Sequence, residues 1–104
     1  MATEDIKRKI SAILSADVAG YSRLMEEDEV VTVQTVESYR KAVSALIEQH
    51  NGRVVDSPGD NLLAEFGSVV DAVQCAVEIQ HIIKAKNAGR PVARRTEFRI
   101  GINL

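Results

Sequence analysis

Apolar positions follow two different rhythms along the chain, and their order predicts the elements. The run ISAILSADV, residues 10 to 18, reads as a short buried strand bounded on its far side by Gly20. Over 26 to 49 the apolar residues Val33, Val36, Tyr39, Val43, Leu46 and Ile47 recur at threes and fours, which lines one face of a long amphipathic helix. Its first turn, EEDE, suits the positive end of a helix dipole, and Asn51 with Gly52 supplies the stop. The stretch GRVVDSPGDNLLAEFG, 52 to 67, reads as a hairpin with Pro58 and Gly59 at the centre of a type II turn. Ser68 and Asp71 then form a capping pair ahead of a second helix, whose apolar face runs through Val69, Val73, Ala76, Ile79 and Ile83 until KNAGRP ends it. In TEFRIGINL the period is two, with Phe98, Ile100, Ile102 and Leu104 on the buried face of a fourth strand.

Strand, helix, strand, strand, helix, strand is the split βαβ order of an α+β, ferredoxin-like βαββαβ fold, a four-stranded antiparallel sheet with two helices on one face. In that architecture the first and third strands are antiparallel central neighbours. Asp17, at the end of the first, should therefore meet Asp60, at the start of the third. The 104 residues make one domain, read as a charged lead-in over 1–9 followed by a domain over 10–104.

Composition narrows the function. A formal net charge of -2 offers no electrostatic footprint for nucleic acid, and the apolar runs are far short of a membrane span. The charged start MATEDIKRKI lacks a signal-peptide core, and Cys75, the single cysteine, fits a reducing compartment, so a cytoplasmic location is the default.

Two carboxylates brought together repel unless they share a cation or proton. Such oxygen donors suit Mg²⁺ or Mn²⁺, which commonly bridge carboxylates and the phosphates of a substrate. The small residues of VAGYS after Asp17 would let backbone N–H groups approach a phosphate. The plainer alternative stands beside this: Asp17 ends a strand and Asp60 is a turn aspartate. His50 and His81 have no partner at zinc-ligand spacing, Cys75 reads as a small core residue, and Tyr21 as a packing residue. EEDE lacks calcium-loop spacing, and Lys84, Lys86, Arg94 and Arg95 read as a solvated connection.

The runs ILSADVAGYSRLM, NGRVVDSPGDNLLAEFGSVVDAVQCAVEIQ and RIGINL resemble the class III adenylate and guanylate cyclase catalytic domain, bacterial type, from about residue 10 to the end of the chain. The resemblance implies two divalent ions, Mg²⁺ or Mn²⁺, held by Asp17, Asp60 and the backbone carbonyl of Val18. It implies triphosphate contacts from the backbone N–H groups of Ala19, Gly20, Tyr21 and Ser22, with ATP (or GTP) as substrate and a homodimer with the site at its interface. The implied reaction converts ATP to cyclic AMP and pyrophosphate.

Two departures matter. Many cyclases have a base-contacting lysine four residues before the second metal aspartate, and Asp56 stands there in this chain. The chain also ends at GINL, where the family continues, so it reads as the N-terminal part of a domain truncated on its C-terminal side, with little or no activity alone. The alternative function is a degenerate cyclase-like module that binds a nucleotide or dimerises in a regulatory role.

Overall fold

The computed structural model describes residues 10–104, and the charged lead-in expected over 1–9 lies outside the described residues. Strand β1 (Ala12–Val18) buries every second residue, Ala12, Leu14, Ala16 and Val18, as a strand with one face on a core must. It is central in a sheet of order β2-β3-β1-β4, with β2 at Gly52–Asp56, β3 at Leu62–Phe66 and β4 at Phe98–Asn103, every pair antiparallel. Two long helices, α2 (Glu29–Gln49) and α3 (Val69–Asn87), cover the face to which those β1 side chains point. Leu14, Phe66, Leu24, Ile47 and Ile79 fill the space between the layers. The expected α+β, ferredoxin-like arrangement is the one observed, and the other sheet face is open.

Within that frame the details differ from the pattern reading in four places. The helix expected from residue 26 is two helices, a short α1 (Tyr21–Glu27) and α2, separated at Asp28. Asp28 is extended, its carboxylate accepts from the Val31 N–H at 3.1 Å, and its own N–H donates to the Leu24 carbonyl at 3.0 Å. A short carboxylate beside free helix N–H groups caps rather than continues, so one acidic run closes α1 and opens α2. The buried Thr32 hydroxyl donates to the same Leu24 carbonyl at 2.8 Å and ties the two helices together.

The hairpin turn is shifted by one residue. The Asn61 N–H donates to the Pro58 carbonyl at 2.9 Å, so Gly59 and Asp60 are the central residues, and Gly59 adopts φ +58°. That left-handed conformation is open to glycine and costly for other residues. The third difference is the face of α3. Its buried residues are Ala72, Cys75, Ile79, Ile83 and Asn87, while Val69, Val70, Val73 and Val77 are exposed. Small residues let the helix lie close on the sheet, and the bulkier valines point outward. Finally, Leu104 lies just past β4 and is 89% exposed, not on the buried face, and Ile100 and Ile102 are only partly buried.

Two further features fix the frame. Gly52 faces Phe66 across the β2–β3 register, and a Cβ at Gly52 would lie 2.4 Å from the Phe66 ring. Between α3 and β4, buried Asn87 accepts from the Tyr39 hydroxyl (2.9 Å) and the Thr96 N–H (3.1 Å) and donates to the Thr96 carbonyl (2.8 Å). With Gln80 donating to the Phe98 carbonyl at 3.0 Å, α3 holds the start of β4 in place.

Candidate active site

The register of β1 with β3 pairs Ala16 with Leu62, so continuing the ladder by two residues puts position 60 opposite Val18. The chain has turned by then, and the Asp60 side chain replaces the missing strand: Oδ2 accepts from the Val18 N–H at 3.2 Å. On the other side, Ala19 donates to the Glu97 carbonyl at 2.8 Å, which continues the ladder with β4. In an antiparallel strand the backbone groups alternate sides, so Val18 turns both N–H and C=O toward the gap where β3 has not yet begun. The Val18 carbonyl and the Asp60 carboxylate thus face the same gap.

Asp17 projects onto the open face of the sheet, the side away from the helices, as the alternation of β1 requires. Its register partner on β4 is Arg99. The guanidinium grips it with two arms, Nε to Oδ1 at 2.8 Å and Nη2 to Oδ2 at 3.1 Å. These hydrogen bonds and the Asp17 charge, with a smaller push from Asp60, hold the Arg99 pKa above its ordinary value. A shallow depression on the open face adjoins the pair, lined by Ser15, Asp17, Pro58, Leu63, Arg99 and Gly101 among others.

The segment after Asp17 offers fewer free donors than the sequence implies. The Ala19 N–H is taken by Glu97, so it cannot serve as the phosphate donor expected of it. Gly20, the N-cap of α1, brings no side-chain cap, which leaves the first-turn N–H groups of Tyr21 and Ser22 without a side-chain acceptor. Tyr21 itself packs partly buried against the core. Asp56, at the base-contact position, is exposed at the end of β2, where its Oδ1 accepts from the Ser57 N–H at 2.9 Å. Arg40 of α2 donates to the Gly59 carbonyl and braces the turn that carries Asp60.

The remaining polar candidates have structural partners. Arg94 pairs with Glu27 at 3.4 Å, Arg95 donates to the Arg90 carbonyl, and the Lys86 ammonium lies 5.7 Å over the Tyr39 ring, so this is not a free basic patch. His81 lies 3.7 Å from Glu78, and His50 caps the C-terminal end of α2. Burial, with a smaller push from Glu78, raises the thiol pKa of Cys75 to about 11, as for an inert core residue. Arg99 is the site residue that pattern reading missed. Its signal was present: Asp17 and Arg99 carry opposite charges on the non-core faces of two strands that the predicted topology makes neighbours.

Among the described residues no group of three or more His, Cys, Asp or Glu side chains is placed to hold a metal ion. Asp17, Asp60 and the Val18 carbonyl lie at one end of the sheet and are all oxygen donors, the type a hard divalent cation takes.

No family model matches the chain. It is 44% identical over 105 residues to "Putative adenylate cyclase 3" of Rhizobium meliloti, covering 100% of this chain and 18% of that protein. In fold it is similar to the crystallised adenylate/guanylate cyclase/hydrolase from Silicibacter pomeroyi, with TM-score 0.83, 40% identity, and 93% of this chain and 57% of that one covered. A crystallised guanylyl cyclase superposes at TM-score 0.71 with 29% identity, covering 88% of this chain and 52% of that one. The chain spans just over half of the first of these structures and less than a fifth of the curated relative.

Proposed function

We infer, from a chain that matches part of the class III adenylate/guanylate cyclase catalytic domain in both sequence and fold, that its role is that of a nucleotide cyclase domain in intracellular signalling, taking ATP, with GTP as the alternative substrate. In this reaction the ribose 3′-oxygen attacks the α-phosphorus of the same nucleotide, the bond from that phosphorus to the bridging oxygen breaks, and pyrophosphate leaves with the electron pair. Asp17, Asp60 and the Val18 carbonyl would hold Mg²⁺ or Mn²⁺, two ions in all, supplying a lowered pKa at the 3′-hydroxyl and neutralising charge on the phosphates. The backbone N–H groups of Gly20, Tyr21 and Ser22 would approach the phosphates, and the rigid ends of β1 and β3 fix where the charges sit.

The observation that carries this reading is the contact between the Asp60 carboxylate and the Val18 N–H, which sets Asp60 beside the residue that follows Asp17. The chain supplies the metal side of the site, and base recognition and the groups that stabilise the transition state come from outside these residues, in a homodimer with the site at its interface. The ATP it would use is that of the cytoplasm. The 104 residues alone should therefore make little cyclic AMP.

Titrating the ¹⁵N-labelled chain with Mn²⁺ tests the site directly. Paramagnetic broadening should centre on residues 17–18 and 60 and be lost in both Asp17→Asn and Asp60→Asn. Broadening centred elsewhere, or none in a folded sample, would reject the metal assignment. Asp56 supports a second reading, a degenerate module that binds nucleotide or dimerises without turnover, because a carboxylate cannot donate to a base as a lysine does. A full-length protein that binds a non-reactive ATP analogue and forms no cyclic AMP or cyclic GMP would favour it.

A further inference from the structure

The carboxylate end of the sheet already contains a cation. Arg99 engages both oxygens of Asp17, at 2.8 and 3.1 Å, and the pair is built into the fold because the two residues are register partners on adjacent strands. The arrangement neutralises one of two neighbouring carboxylates, and without it the end of the sheet would carry two adjacent negative charges. Asp60 is satisfied differently: one of its oxygens accepts from a neutral backbone N–H, so its charge is not cancelled. The Arg99 side chain is 69% exposed and that of Asp17 35% exposed. A pair this accessible to water is weak, and the guanidinium already lies largely in solvent.

We propose that Arg99 is a built-in counter-cation that a divalent metal must displace from Asp17, so that its grip sets how tightly the site takes metal. This rests on the metal-site reading of Asp17 and Asp60. The charge balance gives the direction. Two carboxylates and one guanidinium present a net charge of about -1 to an arriving ion, against about -2 without Arg99, and each oxygen of Asp17 already accepts from the guanidinium. The high guanidinium pKa means that no accessible pH removes the competitor by deprotonation, and only exchange or mutation does. Arg99 would also keep the metal-free protein from carrying an unbalanced acidic pair. An interaction of this exposed kind corresponds to a change of roughly two- to fivefold in binding.

The test is Mn²⁺ affinity of the whole chain, read from the electron paramagnetic resonance signal of free Mn²⁺ together with amide broadening at 17, 18 and 60. Arg99→Gln should bind Mn²⁺ roughly two- to fivefold more tightly than the parent, and Arg99→Lys, which keeps the cation but loses the two-armed grip, should fall between. The gain should vanish in Arg99→Gln combined with Asp17→Asn. A purely structural role for Arg99 predicts the opposite sign, since loosening β4 would weaken binding. If Arg99→Gln does not fold, Arg99→Lys carries the test and must still exceed the parent. Localised broadening in the parent with unchanged or weaker affinity in the variants overturns this proposal alone. No localised broadening in either folded protein overturns it together with the metal-site reading.

Discussion

Replacing Asn87 by alanine removes a side chain that ties α2, α3 and the approach to β4 together. Three hydrogen bonds go at once, and the groups left behind, the Tyr39 hydroxyl and the N–H and C=O of Thr96, belong to residues only 3% and 2% exposed. A buried polar group stripped of its partner costs about 1–3 kcal/mol. Three groups in one network do not add fully, and alanine in a helix returns up to about 0.7 kcal/mol, so the net loss should be about 3–4 kcal/mol. That is a large part of the roughly 5–15 kcal/mol that holds a domain together. Urea unfolding followed by far-ultraviolet circular dichroism measures it, with an unchanged m-value as the check that the unfolding reaction is the same. Tyr39→Phe should cost about 1 kcal/mol, because Asn87 Oδ1 keeps the Thr96 N–H. The double variant should lose less than the sum of the singles by about 1 kcal/mol. A loss below about 1 kcal/mol for Asn87→Ala at constant m would refute the reasoning, since the three groups would then have found water or one another.

Gly52→Ala places a Cβ 2.4 Å from the Phe66 ring, so it should cost about 1–3 kcal/mol in the same urea experiment, and Phe66→Leu in that background should recover part of it. The Cys75 thiol, fully buried with its pKa raised to about 11, should not react with a disulfide reagent at pH 8 until the chain unfolds. Because the folded state holds the proton more tightly than an exposed thiol, Cys75 favours folding below the ordinary thiol pKa. Its share of stability should fall by roughly 1 kcal/mol per pH unit as pH rises from about 9 toward 11. Cys75→Ala should show a shallower decline over that window.

The strand order was legible because each strand announces itself in few residues: β1 by its alternation, β4 by the period-two run after Thr96. That order alone brings Asp17 toward Asp60, since topology decides which strand ends are neighbours. What periodicity could not resolve was competition among local signals. In the sequence Asp28 is one charge in an acidic run that suits a helix start, yet a side chain that can accept from Val31 ends one helix and begins another. On α3 the valines formed a plausible stripe at 69 and 73, but the sheet chose Ala72 and Cys75, because close packing rewards small side chains as much as large ones. The turn was misplaced by one residue because Pro58 fits more than one turn position, and only the hydrogen bond from Asn61 picks out which. Arg99 was missed for a different reason: an arginine on the outward face of an edge strand looks like solvated surface until the register pairs it with Asp17.

The pairing of β1 with β4 also has a history within each molecule's folding. β1 and β3 are joined by roughly fifty residues and can pair once the first hairpin exists, whereas Arg99 must close a loop of 82 residues before it reaches Asp17. Closing longer loops costs more entropy, and chains dominated by distant pairings fold slowly. Synthesis proceeds from the N-terminus, so β4 leaves the ribosome after β1, β2 and β3. Asp17 and Asp60 can therefore stand together before Arg99 arrives, and a nascent chain in that interval would present its acidic pair to whatever cation is at hand. The guanidinium found beside Asp17 in the finished fold is thus a late arrival, closing the longest of these loops onto a carboxylate already in place.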